Sequence, residues 1–188
     1  MTLRNRTQTR PSLTNPLVQN GIFLVTIVNV FAVANKKDRA TVNVVTDDGF
    51  TFTLFFGLAL AVENYGNQLI SELLNVTNSS DNLSDLVGKK VYMYVSSHNY
   101  TDKETNKTSK NYTIKKSVSA NLTIDDLNII DAMNKVAQNI GDVVLRLSAE
   151  QVQQAKVNRE IEYTVDKVVE APSEYETISY GDEEIPFQ

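Results

Sequence analysis

Three observations predict that this 188-residue chain is mainly β with added helices: a small closed barrel, then helices, then a disordered acidic tail. Runs of β-branched and aromatic residues dominate residues 21–120. The apolar spacing then becomes helical, and from Glu170 onward there are six acidic residues and no basic ones. The predicted organisation is a basic flexible arm over 1–20, a barrel over 21–120, a helical extension over 121–168 and a tail over 169–188. A core of about 100 residues is enough to fold alone.

The arm is polar, carries Arg4, Arg6 and Arg10, and contains Pro11 and Pro16, so no structure of its own is expected. Residues 21–34, GIFLVTIVNVFAVA, are apolar on both alternating faces and too long for an ordinary strand. One long, curved strand shared between two sides of a barrel accounts for both properties. A polar turn holding Lys36, Lys37, Asp38 and Arg39 follows. Residues 40–46 and 50–56 then flank Asp47-Asp48-Gly49, a strong hairpin signal.

Leu69, Ile70, Leu73 and Leu74 recur at helical spacing, which predicts a helix ending near Asn75. Alternation returns at residues 91–95, VYMYV, and a loop over 96–110 is expected to bring the chain back as a fifth strand over 111–117. Strand, strand, strand, helix, strand, strand is the order of an OB-fold, a five-stranded Greek-key barrel. Beyond it, Thr123 with Asp126 and Ser148 with Gln151 read as two helix starts. The second helix is polar and needs a surface to pack on, either the barrel or another copy of the chain, so a homo-oligomer is an open expectation.

Composition restricts the chemistry. With no cysteine there is no disulfide or thiolate site, and the one histidine, His98, sits in a polar run without partners. None of the phosphate-loop, dinucleotide, zinc-protease or nucleophile-elbow motifs occurs, and the acid pairs Asp47/Asp48 and Asp125/Asp126 fall at a turn and a helix start. No catalytic residue set and no cofactor are expected. No apolar run precedes Leu17 and none reaches membrane-spanning length, so neither a secretory signal nor a membrane partner is expected, and the expected compartment is the cytoplasm. The eight Asn-x-Ser/Thr triplets then follow from a composition rich in those residues.

The formal charge of −5 conceals a division: residues 1–120 are net +4 and residues 121–188 net −9. Such a body suits a polyanion, and such a tail suits a basic protein surface. The two loops that flank an OB groove hold Lys36, Lys37 and Arg39, and Lys103, Lys107 and Lys110. If Val91, Met93 and Val95 face the core, Lys90, Tyr92 and Tyr94 face outward, where rings can stack on bases while cations hold phosphates. Phe55, Tyr100 and Tyr112 are further stacking candidates, and Lys115 a further cation. Packing under a C-terminal helix is the alternative use of Tyr92 and Tyr94.

The final residues, Asp182, Glu183, Glu184, Ile185, Pro186 and Phe187, resemble the acidic C-terminal tip of bacterial single-stranded-DNA-binding proteins. The resemblance implies that Pro186 and Phe187 enter an apolar pocket on a replication or repair protein while the carboxylates meet basic residues around it. Gln188 departs from the pattern, because in that family the phenylalanine carries the terminal carboxylate. A divergent member of bacteriophage or mobile-element type, working in the cytoplasm of a bacterial host, is what these features imply. The expected function is sequence-independent binding of single-stranded DNA in replication, recombination or repair. The alternatives are RNA binding, or a protein-interaction factor whose tail mimics the tip.

Overall fold

The computed structural model describes residues 15–32, 39–57, 65–80 and 82–158. Its centre is a closed barrel of five strands in the order β1-β2-β3-β5-β4. Strand β1 (Gly21–Ala32) is long because it serves two neighbours. Residues 21–26 pair with β4 (Lys90–Thr101), and residues 25–32 pair with β2 (Arg39–Thr46), both antiparallel. A bulge between Ile27 and Asn29 bends the strand from one partner to the other.

The hairpin from β2 to β3 (Thr51–Gly57) turns at Asp47-Asp48-Gly49 as the sequence predicts. Gly49 adopts φ 82°, a region that favours glycine, and its N–H donates to the Thr46 carbonyl at 2.9 Å. Strand β3 meets β5 (Thr108–Ser119) in parallel through one pair, Leu54 with Tyr112. Parallel neighbours need a long connection, here made by α1 (Tyr65–Val76), a short 3-10 turn (Leu83–Leu86) and β4. The barrel interior is packed with Val25, Ile27, Val42, Phe52, Leu54, Met93 and Ile114, and α1 adds Leu69, Ile70 and Leu73. Glu72 fixes α1 to β5 by accepting the Ser117 N–H at 3.0 Å and pairing with Lys116 at 3.0 Å.

Two expectations change. Residues 15–17 do not belong to a structureless arm: Pro16 bridges Thr51 in parallel, and Leu17, 3% exposed, enters the core. Leu17 N–H donates to Thr51 O (3.2 Å), and Thr51 N–H donates to Asn15 O (2.7 Å). An added edge is welcome there, because β3 and β5 share so little pairing. Residues 96–110 are also mostly strand. β4 and β5 continue past the barrel as a two-stranded ribbon, which leaves a turn of only residues 102–107. The polar composition suggested a loop, but a ribbon projecting into water has no buried face to encode.

The helical extension covers one flank of the barrel. Helix α2 (Ile124–Ile140) begins with the expected capping box, Thr123 with Asp126, and ends at Gly141 in a left-handed conformation. A further helix, α3, covers residues 149–158, and its start repeats the device, with Ser148 N–H donating to Gln151 and Gln151 N–H to Ser148. Ile130, Met133, Ala137 and Ala155 pack on Ile22, Tyr92, Tyr94 and Val118 to form a second core outside the barrel. Residues 142–143 join the two layers, since Ile22 N–H donates to Val143 O and Val143 N–H to Asn20 O, both at 2.9 Å. Glycine is required at position 21, because a Cβ there would lie 2.5 Å from both the Val143 Cβ and its carbonyl oxygen.

Tyr94 ties this layer to pH. Its hydroxyl donates to Asp142 Oδ2 at 2.8 Å, and burial together with that carboxylate pushes its pKa up from 10.0 to about 12. A phenol whose folded pKa is raised stabilises the fold fully below its unfolded value and loses that contribution as pH climbs through the folded one. Stability is therefore expected to fall by about 2–3 kcal/mol between roughly pH 10 and pH 12 on this account. Chemical denaturation across that range checks it: the loss should be smaller in Tyr94→Phe by Tyr94's share, the rest coming from Tyr92 and Tyr112, whose pKa values burial also raises, and an equal loss in both proteins would rule out Tyr94 as a source.

Candidate nucleic-acid interface

With the barrel interior filled and one flank under helices, the outer face of β1, β2 and β3 remains. Alternation assigns its side chains. Val42 and Leu54 pair across β2 and β3 inside the barrel, so their neighbours Thr41 and Phe55, also paired, lie outside. The bulge sets the phase of β1: Val30 pairs with Val42 and packs inward, which puts Phe31, opposite Thr41, on the outer face. A row Phe31, Thr41, Phe55 thus crosses three strands, with two aromatic rings on either side of a small residue. The next row is Asn29, Asn43, Thr53. Thr53 Oγ1 donates to Asn43 Oδ1 at 2.9 Å, which holds the amide in one orientation. Phe55 is 45% exposed and Phe31 half-buried, while Thr41 and Asn43 at the middle of the two rows are buried, so the rings at the margins are what the face presents.

Several nominated residues lie elsewhere. Tyr92 and Tyr94 do point out of the barrel, but the helical extension covers them, leaving 2% and 3% exposure. Their hydroxyls meet Gln151 and Asp142, each at 2.8 Å, and burial raises both pKa values. No base can stack on them, so for this pair packing is the correct reading. Tyr112 is inside the barrel, beside Phe52, and its hydroxyl donates to Leu17 O at 2.8 Å. It faces inward because it continues the phase of Ile114. Tyr100, half exposed, is available on the ribbon, on the face opposite to Lys110.

The nominated cations separate in the same way. Lys90 pairs with Asp47 at 3.5 Å. Lys115 lies over the Tyr94 ring at 4.5 Å and 3.9 Å from Asp142. Lys110 donates to Val18 O at 3.0 Å, clamping the ribbon onto the segment that precedes β1. Lys103 and Lys107 are exposed in the ribbon turn and make no ion pair among the described residues. The turn is held by Asp102, whose side chain accepts the Thr105 and Glu104 N–H groups, and these bonds, with one from the Thr105 hydroxyl, lower its pKa. Lys36, Lys37 and the tip residues Asp182, Glu183, Glu184, Ile185, Pro186 and Phe187 lie outside the described residues, as does the side chain of Arg39.

Sequence reasoning missed Phe31. Strict alternation from Val25 and Ile27 puts it inside the barrel, and only the bulge moves it out; the one turn-type residue at the bulge is Asn29, which by itself does not specify a phase change. A groove of about 530 Å³ between Tyr92, residues 120–123 and α3 is a separate concavity. Three of its amides are already engaged: Gln151 bonds Tyr92, Gln154 bonds Asn158, and Asn158 bonds Leu122 O. Among the described residues there is no group of His, Cys, Asp and Glu arranged to hold a metal ion, and no helix long and apolar enough to cross a membrane. No protein-family model and no curated protein matches the chain.

Proposed function

We propose that the barrel is an OB-fold and that it binds single-stranded DNA without strong sequence preference. The observation that carries this reading is the Phe31, Thr41, Phe55 row on the outer face of β1–β3. In an OB-fold that face and the two loops beside it take oligonucleotides. The strand order, the parallel β3–β5 contact and the helix between β3 and β4 support the fold assignment. Each ring offers a base about 1–3 kcal/mol of stacking, which is indifferent to sequence because every base has a π-face. Cations from the loops neutralise phosphates, with Lys103 and Lys107 at the ribbon turn and Lys36, Lys37 and Arg39 in the first loop. No catalytic step and no cofactor enter this role.

In the same reading the tip, Ile185 to Phe187 behind three carboxylates, recruits replication or repair proteins, on the strength of its resemblance to the single-stranded-DNA-binding family. A fluorescence titration with oligo-dT at low and high salt tests the barrel: tight binding that weakens as salt rises is expected, and no binding would end the proposal. An oligo-U titration beside it separates DNA from RNA. Deleting residues 185–188 should abolish partner capture while leaving oligonucleotide binding in place.

One observation favours a second reading, a protein-interaction factor. Ile129, Val136 and Ile140 stay exposed along one side of α2. Partner capture through α2 with no affinity for oligonucleotides would select that reading.

A further inference from the structure

A buried polar atom that has left water without finding a partner costs stability, so folded proteins hold few of them. Among the described residues two side-chain atoms are in that position, Asn43 Nδ2 and Ser117 Oγ. Ser117 lies opposite Met93, a residue of the barrel core. Asn43 is placed differently. It falls between Val42 and Val44, which fill the core, so it belongs to the outer face of β2, at the centre of the Asn29, Asn43, Thr53 row.

Local contacts fix what this amide offers. Its oxygen accepts the Thr53 hydroxyl at 2.9 Å, so the carbonyl end is engaged and the NH2 end is left without an acceptor. Asn43 is only 6% exposed. In the antiparallel register Phe31 and Phe55 are its diagonal neighbours, one on each flanking strand, because both pair with Thr41 on the same face. Diagonal neighbours lie about 7–8 Å apart, within reach of aromatic side chains. The unsatisfied donor therefore sits between the two rings on which bases are proposed to stack. Phosphates go to the cations of the loops; a neutral donor between rings meets a base edge.

We propose that Asn43 reads bases: its Nδ2 donates to a carbonyl oxygen of a base stacked on Phe31 or Phe55, which favours thymine, cytosine and guanine over adenine, the one DNA base without a carbonyl. The inference rests on the reading that the β1–β3 face takes single-stranded DNA, and it adds a modest bias to a contact that stacking makes tolerant of sequence. Access to the shielded nitrogen needs a small movement of its neighbours, which Phe31 and Phe55 at the margins of the face make as a base stacks on them. The stability lost to the unsatisfied donor in the free protein is regained in the complex.

The test compares oligo-dT with oligo-dA on the full wild-type chain and on Asn43→Leu, a change of similar volume that removes the amide. One hydrogen bond is worth about 2- to 12-fold in affinity, so the variant should lose about that much for oligo-dT and nothing for oligo-dA. Its thermal midpoint should be no lower than the wild-type's, because an apolar side chain leaves no buried donor, and Thr53, half-buried, can turn its hydroxyl to water. A second measurement needs no variant. Oligo-dT carrying sulfur in place of O2 or of O4 presents a poor acceptor at that position, and one of the two substitutions should weaken binding to the wild-type chain by a similar factor. Equal losses for oligo-dT and oligo-dA in Asn43→Leu, or wild-type binding indifferent to both sulfur substitutions, would overturn the base-reading role and leave the aromatic face standing. No binding of either oligonucleotide by the wild-type chain would remove both.

Discussion

Phe31→Ala and Phe55→Ala are each expected to lower oligo-dT affinity by about 5- to 150-fold while leaving the salt dependence almost unchanged. Truncating a ring removes about 1–3 kcal/mol of stacking and no charge, so the curve of log affinity against log salt should shift down without tilting. Both phenylalanines lie outside the barrel core, Phe55 at 45% exposure, so the folded structure should survive either change. The double variant should bind more weakly than either single one. Folded variants that bind as tightly as the wild-type would remove the aromatic row from the interface.

The largest effect on stability is expected at Gly21. Alanine there would bring a Cβ within 2.5 Å of the Val143 Cβ and carbonyl oxygen, and neither can rotate out of the way. The chain must spread, which stretches the two main-chain bonds that join Val143 to Ile22 and Asn20. Overpacking of this kind costs about 1–3 kcal/mol, and lost main-chain bonds add to it. Gly21→Ala should therefore melt several degrees lower than the wild-type. Because the chain has no tryptophan, the emission comes from its eight tyrosines, and the contribution of Tyr92 and Tyr94 should change as the helices loosen. An unchanged melting curve with unchanged tyrosine emission would show that β1 and residues 142–143 do not need this close approach.

How much of this architecture was readable in advance follows from the range of each interaction. The hairpin at Asp47-Asp48-Gly49, the helix through Leu69 and Leu73, and the capping boxes at Thr123 and Ser148 are set by residues within a few positions of one another, and each is present where its signal lies. The ribbon was harder to read, because serine, asparagine and threonine alternate without an apolar face whether they form a loop or two strands in water. Of the candidate interface, Phe55 was legible from alternation within a short, regular strand. Phe31 was not, because a bulge three residues before it reverses the phase.

The sequence by itself determined the number of strands, their periods, the turn chemistry and the division of charge, since these depend on side-chain type and near neighbours. Only the tertiary structure decided which outward residues stay open to solvent. Tyr92 and Tyr94 read outward in any strand of this pattern, yet their cover comes from Gln151 and Asp142, 59 and 48 residues away. The same holds for Lys90 and Lys115, whose carboxylate partners belong to other elements. Burial and charge pairing are properties of surfaces brought together by folding, and a local pattern cannot specify the far surface.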